Sequence, residues 1–346
     1  MKTRILAGHD MTRLLEVVGI HEFMDLMIER LRGRLLDHSA ADVEVRPRDG
    51  FRYDKPDLGL IEWMPTHEIG GPVVVKMVGY HPANPVQRAL PSVIATSSMW
   101  DTESGHLVAI ADATLLTAMR TGAASALATE VLARPGPISL GLAGLGAQAV
   151  TQLHAISRVR TIDRVTGFDV DADVAASFAE RVDFLDIDID IAGPEGANSM
   201  VGAVDVLCTC TSVDIGAGPV IADGTTRDWL HVNAIGADFP GKLELPSTLV
   251  NRSFVVPDTL EQCLLEGECQ QVSSDRIGPA LSELVQRADE YTDRREQLTI
   301  FDSTGWAVED DVALRLAVEL ATLHGVGSEI ELERLPRDPY DPYGVA

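Results

Sequence analysis

One stretch near the middle of the chain constrains the fold more than any other. Residues 138–159 read ISLGLAGLGAQAVTQLHAISRV, a hydrophobic strand, a glycine turn and a helix in immediate succession. In α/β domains such a turn points backbone N–H groups and the positive end of the helix dipole at a bound phosphate. This stretch therefore predicts a Rossmann-type unit with a dinucleotide at the turn.

The turn itself carries the pattern GxGxxA, with Gly144 and Gly146 as its glycines. A lone match to this pattern is weak evidence, since a strand-to-helix turn can need glycine for purely structural reasons. Asp169 ends the next predicted strand, where a ribose-binding carboxylate belongs, and Asp171 is the alternative. An acid here, with no arginine directly after it, favours NAD over NADP.

Further strands are predicted after this unit, alternating with helices. They are RVTGFDVD (164–171), VDVLCTC (204–210), LHVNAIG (230–236) and SFVVPD (253–258). Strands that alternate with helices form parallel sheets covered on both faces. The fold class expected for this part is α/β.

The region before residue 113 has a different texture. Helical periodicity covers the first forty residues, and short β-like runs separated by Gly, Pro and Asp turns follow from about 43 to 112, which indicates an antiparallel sheet. A helix is predicted over 113–133 and another over 309–325. We expect residues 1–125 and 306–346 to form a discontinuous α+β substrate and dimerisation domain, and residues 126–305 to form the Rossmann domain.

Composition excludes several classes of partner. A net charge of −25 over 346 residues cannot neutralise rows of phosphates, so nucleic acid and anionic membrane surfaces are not expected partners. No signal peptide or membrane-spanning run is apparent, and the four cysteines are expected as free thiols, so we expect a cytoplasmic protein. The acidic run at 183–196 lacks calcium-loop spacing and is interpreted as a solvated edge, and no metal site is expected.

Three charged residues stand in otherwise apolar segments before the nucleotide unit. They are Glu62 in GLIEWMP, Lys76 in VVVKMVGY and Arg120 in LLTAMRTGAASALA. A buried charge is unfavourable without a partner or a role, and one alternative is a structural ion pair between Glu62 and Lys76. An arginine and a lysine that converge would bind a carboxylate, and a glutamate opposite them would receive a cation. That charge pattern suits a diamino acid.

Several long stretches, in the same order, resemble the ornithine cyclodeaminase/μ-crystallin family along nearly the whole chain. The matching stretches are IEWMPT (61–66), VKMVGYHPANP (75–85), LLTAMRTGAASALA (115–128), GLGAQA (144–149), HVNAIGADFPGKLEL (231–245), EGECQQ (266–271) and FDSTGWAVED (301–310). Within the family, VGYHPANP and TSVDIGAGPV look more like the enzymes that act on lysine than like those that act on ornithine.

The resemblance implies a reaction and roles for the charged residues. A hydride leaves Cα of a basic L-amino acid for NAD, the ω-amine closes a ring, ammonia departs, and the hydride returns. Lys76 and Arg120 would hold the α-carboxylate, with Arg48 as a further carboxylate-binding arginine, and Glu62 would orient the distal amine. Asp238 matches the family's catalytic carboxylate, and Glu62 and Lys76 share catalytic roles with it.

The resemblance also implies residues for the cofactor and an oligomeric state. A homodimer is expected. The expected NAD contacts are Thr121, Gly144, Gly146, Ala147, Gln148, Asp169, Thr209, Thr211, Asn233, Ile235, Ser303, Thr304 and Gly305.

Other interpretations stay open. Asp238 follows a predicted strand in a Gly- and Pro-rich turn, and such an aspartate often bonds only its own turn backbone. The same fold could also serve a ketimine reductase or an amino-acid dehydrogenase that turns its cofactor over, and such an enzyme has less need of Glu62. A third possibility is a protein that binds nucleotide and a small ligand without catalysis, as in μ-crystallin-like members.

Overall fold

Two β-sheets organise the chain in the computed structural model, which describes residues 1–39, 41–193, 196–224 and 226–344. The second sheet comes from the region of alternating strands and helices, and the first comes mostly from the β-like region 43–112. Two strands of the first sheet lie outside that region, Thr3–Leu6 and Ser328–Ile330, and Thr3–Leu6 is a correction to the helical periodicity expected for the first forty residues. The expected combination of a parallel α/β unit with a largely antiparallel sheet is confirmed.

The first sheet has eight strands and is antiparallel except where β1 runs parallel to β7. Its order is β15-β1-β7-β6-β5-β4-β2, and β3 also pairs with β4. The strands are β1 Thr3–Leu6, β2 Val43–Val45, β3 Asp49–Tyr53, β4 Gly59–Glu68, β5 Val73–Tyr80, β6 Val93–Trp100, β7 Leu107–Asp112 and β15 Ser328–Ile330.

Alternation along these strands separates two faces of the sheet. On β4 and β5 the residues Glu62, Met64, Val74 and Lys76 are buried on the inner face. Residues at the intervening positions of β4 and β5, and their neighbours on β3 and β6, point outward. The exposed apolar side chains of this outer face include Phe51, Ile61, Met77, Ile94 and Trp100.

The second sheet has seven strands, all parallel, in the order β10-β9-β8-β11-β12-β14-β13. The strands are β8 Ile138–Ala143, β9 Ile162–Phe168, β10 Ile189–Ile191, β11 Val206–Thr209, β12 His231–Ala234, β13 Phe254–Pro257 and β14 Thr299–Asp302. β10 and β14 were not among the predicted strands. The chain leaves β8 toward β9 on one side, and β11 lies on its other side, so the carboxyl ends of β8 and β11 flank the crevice in which such sheets bind ligands.

The helices pack on both sheets. They are α1 Gly8–Val18, α2 Ile20–Leu36, α3 Asn84–Arg88, α4 Thr114–Leu132, α5 Ala147–Val159, α6 Ala172–Ala176, α7 Phe178–Arg181, α8 Ala197–Ala203, α9 Ser247–Arg252, α10 Leu260–Glu266, α11 Leu281–Gln286 and α12 Ala307–His324. Short 3₁₀ turns cover Asp183–Leu185, Glu268–Gln271, Ser274–Arg276 and Ala288–Glu296.

Helix α4 lies at the centre of the molecule and is buried almost all round. Its largely small side chains allow close approach: a Cβ on Gly122 would lie 2.5 Å from the carbonyl oxygen of Thr151 on α5. One continuous core joins α4 and α12 to Leu6 of the first sheet and Phe301 of the second. The two sheets are therefore held against one shared pair of helices.

Only one of the two predicted domain boundaries falls between secondary-structure elements. The boundary at 125/126 lies inside α4, whereas the boundary at 305/306 comes directly before α12. Every described strand of the first sheet lies within 1–125 or 306–346, and every described strand of the second lies within 126–305. The two-domain division stays a prediction, with α4 as the helix that both parts share.

Two smaller expectations concern the surface and the cysteines. Asp183, Asp186, Asp188 and Asp190 are exposed beside the edge strand β10, as expected of a solvated edge; residues 194 and 195 of that run lie outside the described residues. All four cysteines are free thiols. Among the described helices, none is both long enough and apolar enough to cross a membrane.

Candidate active site

The glycine turn after β8 has the geometry that the motif predicts. Gly144 has a φ of +87°, which favours glycine, and a Cβ there would lie 2.7 Å from the carbonyl oxygen of Cys210. Gly146 is the N-cap of α5, and a Cβ on it would meet no atom within 4 Å. The first turn of α5 thus faces open space beside two strand ends, which fits a pyrophosphate.

The two candidate ribose carboxylates have different surroundings. Asp169 accepts a hydrogen bond from the Leu145 N–H of the glycine turn, 2.7 Å from Oδ2. Asp171 is the N-cap of α6 and accepts from the N–H groups of Asp173 and Val174. Asp171 is thus used to cap a helix, whereas Asp169 lies against the turn itself, which supports Asp169 as the ribose ligand.

Several expected cofactor contacts are turned toward protein rather than toward the crevice. Asn233 is fully buried and donates to Thr129 Oγ1 at 2.9 Å, and Thr121 donates to a carbonyl of its own helix. The Gln148 amide donates to Ala118 O and Thr151 Oγ1. We therefore expect these side chains to shape the wall of the dinucleotide site. Thr209 and Ile235, at neighbouring strand ends, are also buried.

The loop after β14 is held by a carboxylate from the neighbouring strand. Asp258 Oδ2 accepts from the N–H groups of Thr304 and Gly305, at 2.8 and 2.7 Å, and from the Ser303 hydroxyl at 3.3 Å. Gly305 has a φ of +90°, and a Cβ there would lie 2.7 Å from the Arg120 guanidinium. This loop, expected at the nicotinamide, is therefore placed directly beside the expected carboxylate clamp.

Two expected clamp residues do converge. Lys76 Nζ lies 2.8 Å from Asp310, and Arg120 Nε lies 3.1 Å from the same carboxylate. Arg120 also donates to Glu309 at 2.6 Å. All four side chains are at least nine-tenths buried. Burial lowers the pKa of Lys76 to about 8, because Asp310 offsets only part of the desolvation and the nearby arginines add to the lowering.

Arg48 enters the same site from the loop before β3. Its guanidinium lies 3.6 Å from Glu62 and 3.3 Å from Glu266, and it donates to the carbonyls of Thr304 and Gly305. Burial raises the pKa of Glu62, against the influence of Arg48. Burial likewise raises the pKa of Glu266 to about 7, with Arg48 opposing and the neighbouring carboxylates reinforcing.

The alternative of a Glu62–Lys76 ion pair finds no support in the described contacts. The two residues lie on the inner face of adjacent strands, where Glu62 is opposite Val78 and Lys76 is opposite Met64. Each takes a different charged partner, Arg48 for Glu62 and Asp310 for Lys76. The two charges thus lie diagonally across paired strands and are held by separate partners.

Asp238 follows β12 and is 44% exposed in its side chain. Its Oδ1 accepts a hydrogen bond from Lys242 Nζ at 2.9 Å. Within the part of the chain that the structure describes, no backbone N–H of the turn donates to this carboxylate. The interpretation of Asp238 as a mere turn-former is therefore not supported.

Most partners of these groups have no distinct signal in the sequence. Glu309 and Asp310 lie in the first turn of α12, where the helix dipole favours acids in any case, yet they also pair with the clamp. Asp258, Glu266 and Lys242 were not singled out. A usable signal existed for Lys242, because only four residues of the chain are lysine and a lysine directly after Pro-Gly needs an explanation.

We expect Asp169→Ala to weaken NAD+ binding about 10- to 100-fold, since a hydrogen bond to a charged group contributes about 1.5–3 kcal/mol. The matched variant Asp171→Ala should leave the affinity nearly unchanged and lose about 1 kcal/mol of stability with its helix cap. Calorimetric titration of NAD+ into each variant measures both affinities. Equal losses in the two variants would contradict the assignment of Asp169.

Comparison with known proteins agrees with this geometry. The model of the ornithine cyclodeaminase/mu-crystallin family matches residues 9–323. An L-lysine cyclodeaminase of Streptomyces rapamycinicus is 42% identical over 347 residues, covering all of both chains.

Solved structures agree as well. A lysine cyclodeaminase studied for its recognition of L-lysine, L-ornithine and L-2,4-diaminobutyric acid superimposes with a TM-score of 0.96, at 42% identity and full coverage of both chains. An archaeal alanine dehydrogenase dimer with bound NAD gives 0.85 at 30% identity, covering 96% of this chain and all of the other. The family resemblance drawn from the sequence is thus confirmed: the chain belongs to the ornithine cyclodeaminase/mu-crystallin family.

Proposed function

We propose that the protein is an NAD-dependent cyclodeaminase that converts a basic L-amino acid into a cyclic imino acid and ammonia. L-Lysine, giving L-pipecolate, is favoured over L-ornithine, giving L-proline. One observation carries the proposal: beside a dinucleotide crevice, the buried cations Lys76 and Arg120 converge on one carboxylate, and a group of further carboxylates lies in the same cleft. These further carboxylates are Glu62, Asp238 and Glu266. The 42% identity to a lysine cyclodeaminase supports the same substrate.

The charge of the cleft suits a diamino acid. Four cations against five carboxylates leave a net charge of −1 when all are ionised, which complements the single net positive charge of lysine or ornithine and not a neutral zwitterion such as alanine. The cations are Arg48, Lys76, Arg120 and Lys242, and the carboxylates are Glu62, Asp238, Glu266, Glu309 and Asp310.

The substrate's α-carboxylate would bind to Lys76 and Arg120. Arg120 has a planar guanidinium that can hold a carboxylate by two hydrogen bonds, and Lys76 adds a point charge with three donors. Asp310 and Glu309 keep both cations in place before substrate arrives. Because the site is buried, each hydrogen bond to the substrate gains strength from the low dielectric.

The ω-ammonium group would lie near Glu62. This carboxylate is buried on the inner face of β4, beside Arg48 and in the same electrostatic environment as Asp238. A carboxylate desolvated to this degree is stabilised by a cation that neutralises it. Glu62 thus favours a substrate that has a distal amine.

Asp238 would handle the protons of the two amines. The ω-amine must lose a proton before it can attack Cα, and the α-nitrogen must gain one before it leaves as ammonia. A half-exposed carboxylate at the crevice edge can accept the first and supply the second. When bound, NAD supplies the reversible hydride acceptor that makes Cα electrophilic.

We also propose that the protein forms a homodimer through the outer face of the first sheet. This face exposes Phe51 (68%), Ile94 (43%), Ile61 (39%), Met77 (39%) and Trp100 (38%), a concentration of apolar surface that monomers rarely leave uncovered. The related alanine dehydrogenase is a dimer. A second copy of this chain is the occupant we propose.

Sedimentation velocity tests the proposed dimer. The wild-type chain should sediment as a dimer, and Met77→Asp should sediment as a monomer because it places a charge in the covered face. The matched variant Leu323→Asp, at the far end of α12 and 75% exposed, should stay dimeric. A monomeric wild type, or a dimer that Met77→Asp leaves intact, would contradict this surface.

Product analysis by mass spectrometry tests the proposed function. The purified protein receives L-lysine or L-ornithine with catalytic NAD+ while ammonia is monitored. Pipecolate or proline should form in large excess over the NAD+ supplied, and the faster substrate fixes the ring size. Product that stops at one equivalent of NADH would point to a dehydrogenase or reductase, and tight binding without product would point to a binding protein.

The pH dependence of kcat/KM for L-lysine should show the titration of Lys76. The wild type should lose activity as the pH rises through about 8, because the free enzyme's Lys76 then loses its charge. In Lys76→Arg the guanidinium stays charged, so the decline should move to the higher pH at which the substrate amines deprotonate. Lys55→Arg, at an exposed lysine, is the control; identical alkaline limbs in Lys76→Arg and wild type would contradict a role for Lys76 charge.

A further inference from the structure

Lysine is used sparingly in this chain. Only four of its 28 cationic residues are lysines, at positions 2, 55, 76 and 242. Lys2 and Lys55 are exposed, whereas Lys76 and Lys242 are 1% and 5% exposed and lie at the cleft. A buried lysine is costly unless it is paired, so Lys242 needs an explanation that the proposed substrate contacts do not supply.

Lys242 is joined to Asp238 across a rigid turn. Its Nζ lies 2.9 Å from Asp238 Oδ1, and its N–H donates to Phe239 O at 3.0 Å. Gly241, at the tip of the turn with φ +81°, is held from two sides. Its N–H donates to the Gln270 side chain at 2.8 Å, and its carbonyl accepts from the Gly216 N–H at 3.2 Å.

The other face of the Lys242 ammonium meets the first sheet. Nζ lies 5.2 Å from the ring centroid of Tyr80, the last residue of β5, within the range of a cation–π contact. Lys76 lies on the same strand. Lys242 therefore touches both walls of the cleft, the turn after β12 on one side and the clamp-bearing strand on the other.

Lys242 keeps its charge in this setting. Burial alone would lower its pKa, but the Asp238 carboxylate and Tyr80 raise that pKa to about 12. One oxygen of Asp238, Oδ1, thus contacts an ammonium group that stays positively charged. Among the hydrogen bonds of the described residues, its second oxygen, Oδ2, has no protein donor.

We propose that Lys242 is the positioning residue for Asp238. By binding Oδ1 it orients Oδ2 toward the substrate amines. Its contact with Tyr80 couples this orientation to the position of β5. This inference rests on the proposed function, because it assigns proton handling to Asp238. The geometry assigns one oxygen to the protein and the other to the substrate.

Other ionisable groups also face this pair. Glu62 and Glu266 interact with Asp238 across the cleft, and Glu244 and Tyr80 interact with Lys242. Asp214 faces Tyr80. Arg48 is a further cation nearby, and it pairs with Glu62 and Glu266. Removal of Lys242 therefore takes away the cation bonded to Asp238 and leaves the remaining acids, which disfavours the charged form of this carboxylate.

The test compares Lys242→Met, which keeps the length and packing of the side chain, with Lys242→Arg. For cyclodeamination of L-lysine, Lys242→Met should lower kcat about 10- to 100-fold while KM changes less than about threefold, because the carboxylate clamp is intact. The acid limb of its kcat/KM profile should move to higher pH. Lys242→Arg should recover part of kcat and return the limb toward the wild-type position.

Controls separate positioning from a structural role. Lys2→Met, at an exposed lysine, should match the wild type. If Lys242→Met keeps the wild-type acid limb and kcat, or if Lys242→Arg is as damaged as Lys242→Met without any pH shift, the positioning role is wrong.

A crystal structure of Lys242→Met with NAD tests the positioning of Asp238 separately from the proposed function. If the wild type forms no cyclic product, the proposed function is wrong, and the crystal structure alone then tests whether Lys242 orients Asp238. An Asp238 carboxylate rotated away from its wild-type orientation supports the inference. A carboxylate that keeps the wild-type orientation overturns it.

Discussion

The arrangement of the cleft depends on one cluster of buried ion pairs, in which Lys76 and Arg120 share Asp310 and Arg120 also binds Glu309. The cluster joins β5, α4 and the first turn of α12. Burial raises the pKa of Glu309 to about 7 even with Arg120 beside it, so the cost of desolvation is only partly offset. Buried ion pairs contribute little net stability, and removing one partner costs about 3–5 kcal/mol. This balance fits the substrate-binding role proposed for the cluster better than a role in stabilising the fold.

A second set of carboxylates holds the loops at the strand ends by accepting backbone N–H groups. Glu244 accepts from Thr211 and Gly236, and Glu268 accepts from Glu244 and Leu245. Asp302 accepts from Glu268 and Cys269, with burial raising its pKa to about 7. Together with Asp258, these acids tie together the loops that follow β11, β12, β13 and β14. Loops fixed in this way give the dinucleotide crevice a preformed shape, and that preformation lowers the entropic cost of binding.

Much of this architecture could be predicted because its signals are local. The strand–glycine–helix stretch at 138–159 specified the nucleotide-binding unit, and alternating strands and helices specified a parallel sheet. Family, enzyme class and cofactor followed from long ordered stretches and agree with the known relatives. The convergence of Lys76 and Arg120 was also expected. Each is a single charge in an apolar segment, and a buried charge is unfavourable unless it has a partner or a role.

The partners of those charges could not be predicted from local patterns. Asp310 lies 234 residues from Lys76, and no periodicity encodes which acid of α12 turns toward which cation. The pairing of Arg48 with Glu62 and Glu266 likewise joins a loop, strand β4 and the end of helix α10, which meet only in the folded chain. β10 lies within an acidic run, and β14 is only four residues long, so neither has a clear local strand pattern. Tertiary contacts decided each of these features.

In the proposed reaction, hydride leaves Cα and returns to it within one active-site cycle. The most direct measurement uses L-lysine that carries deuterium at Cα and ¹⁵N in the α-amine, with unlabelled NAD+ in catalytic amount. The pipecolate should retain the deuterium at C2, and the ammonia should carry the ¹⁵N. Pipecolate without deuterium, or with ¹⁵N in its ring, would contradict this reaction.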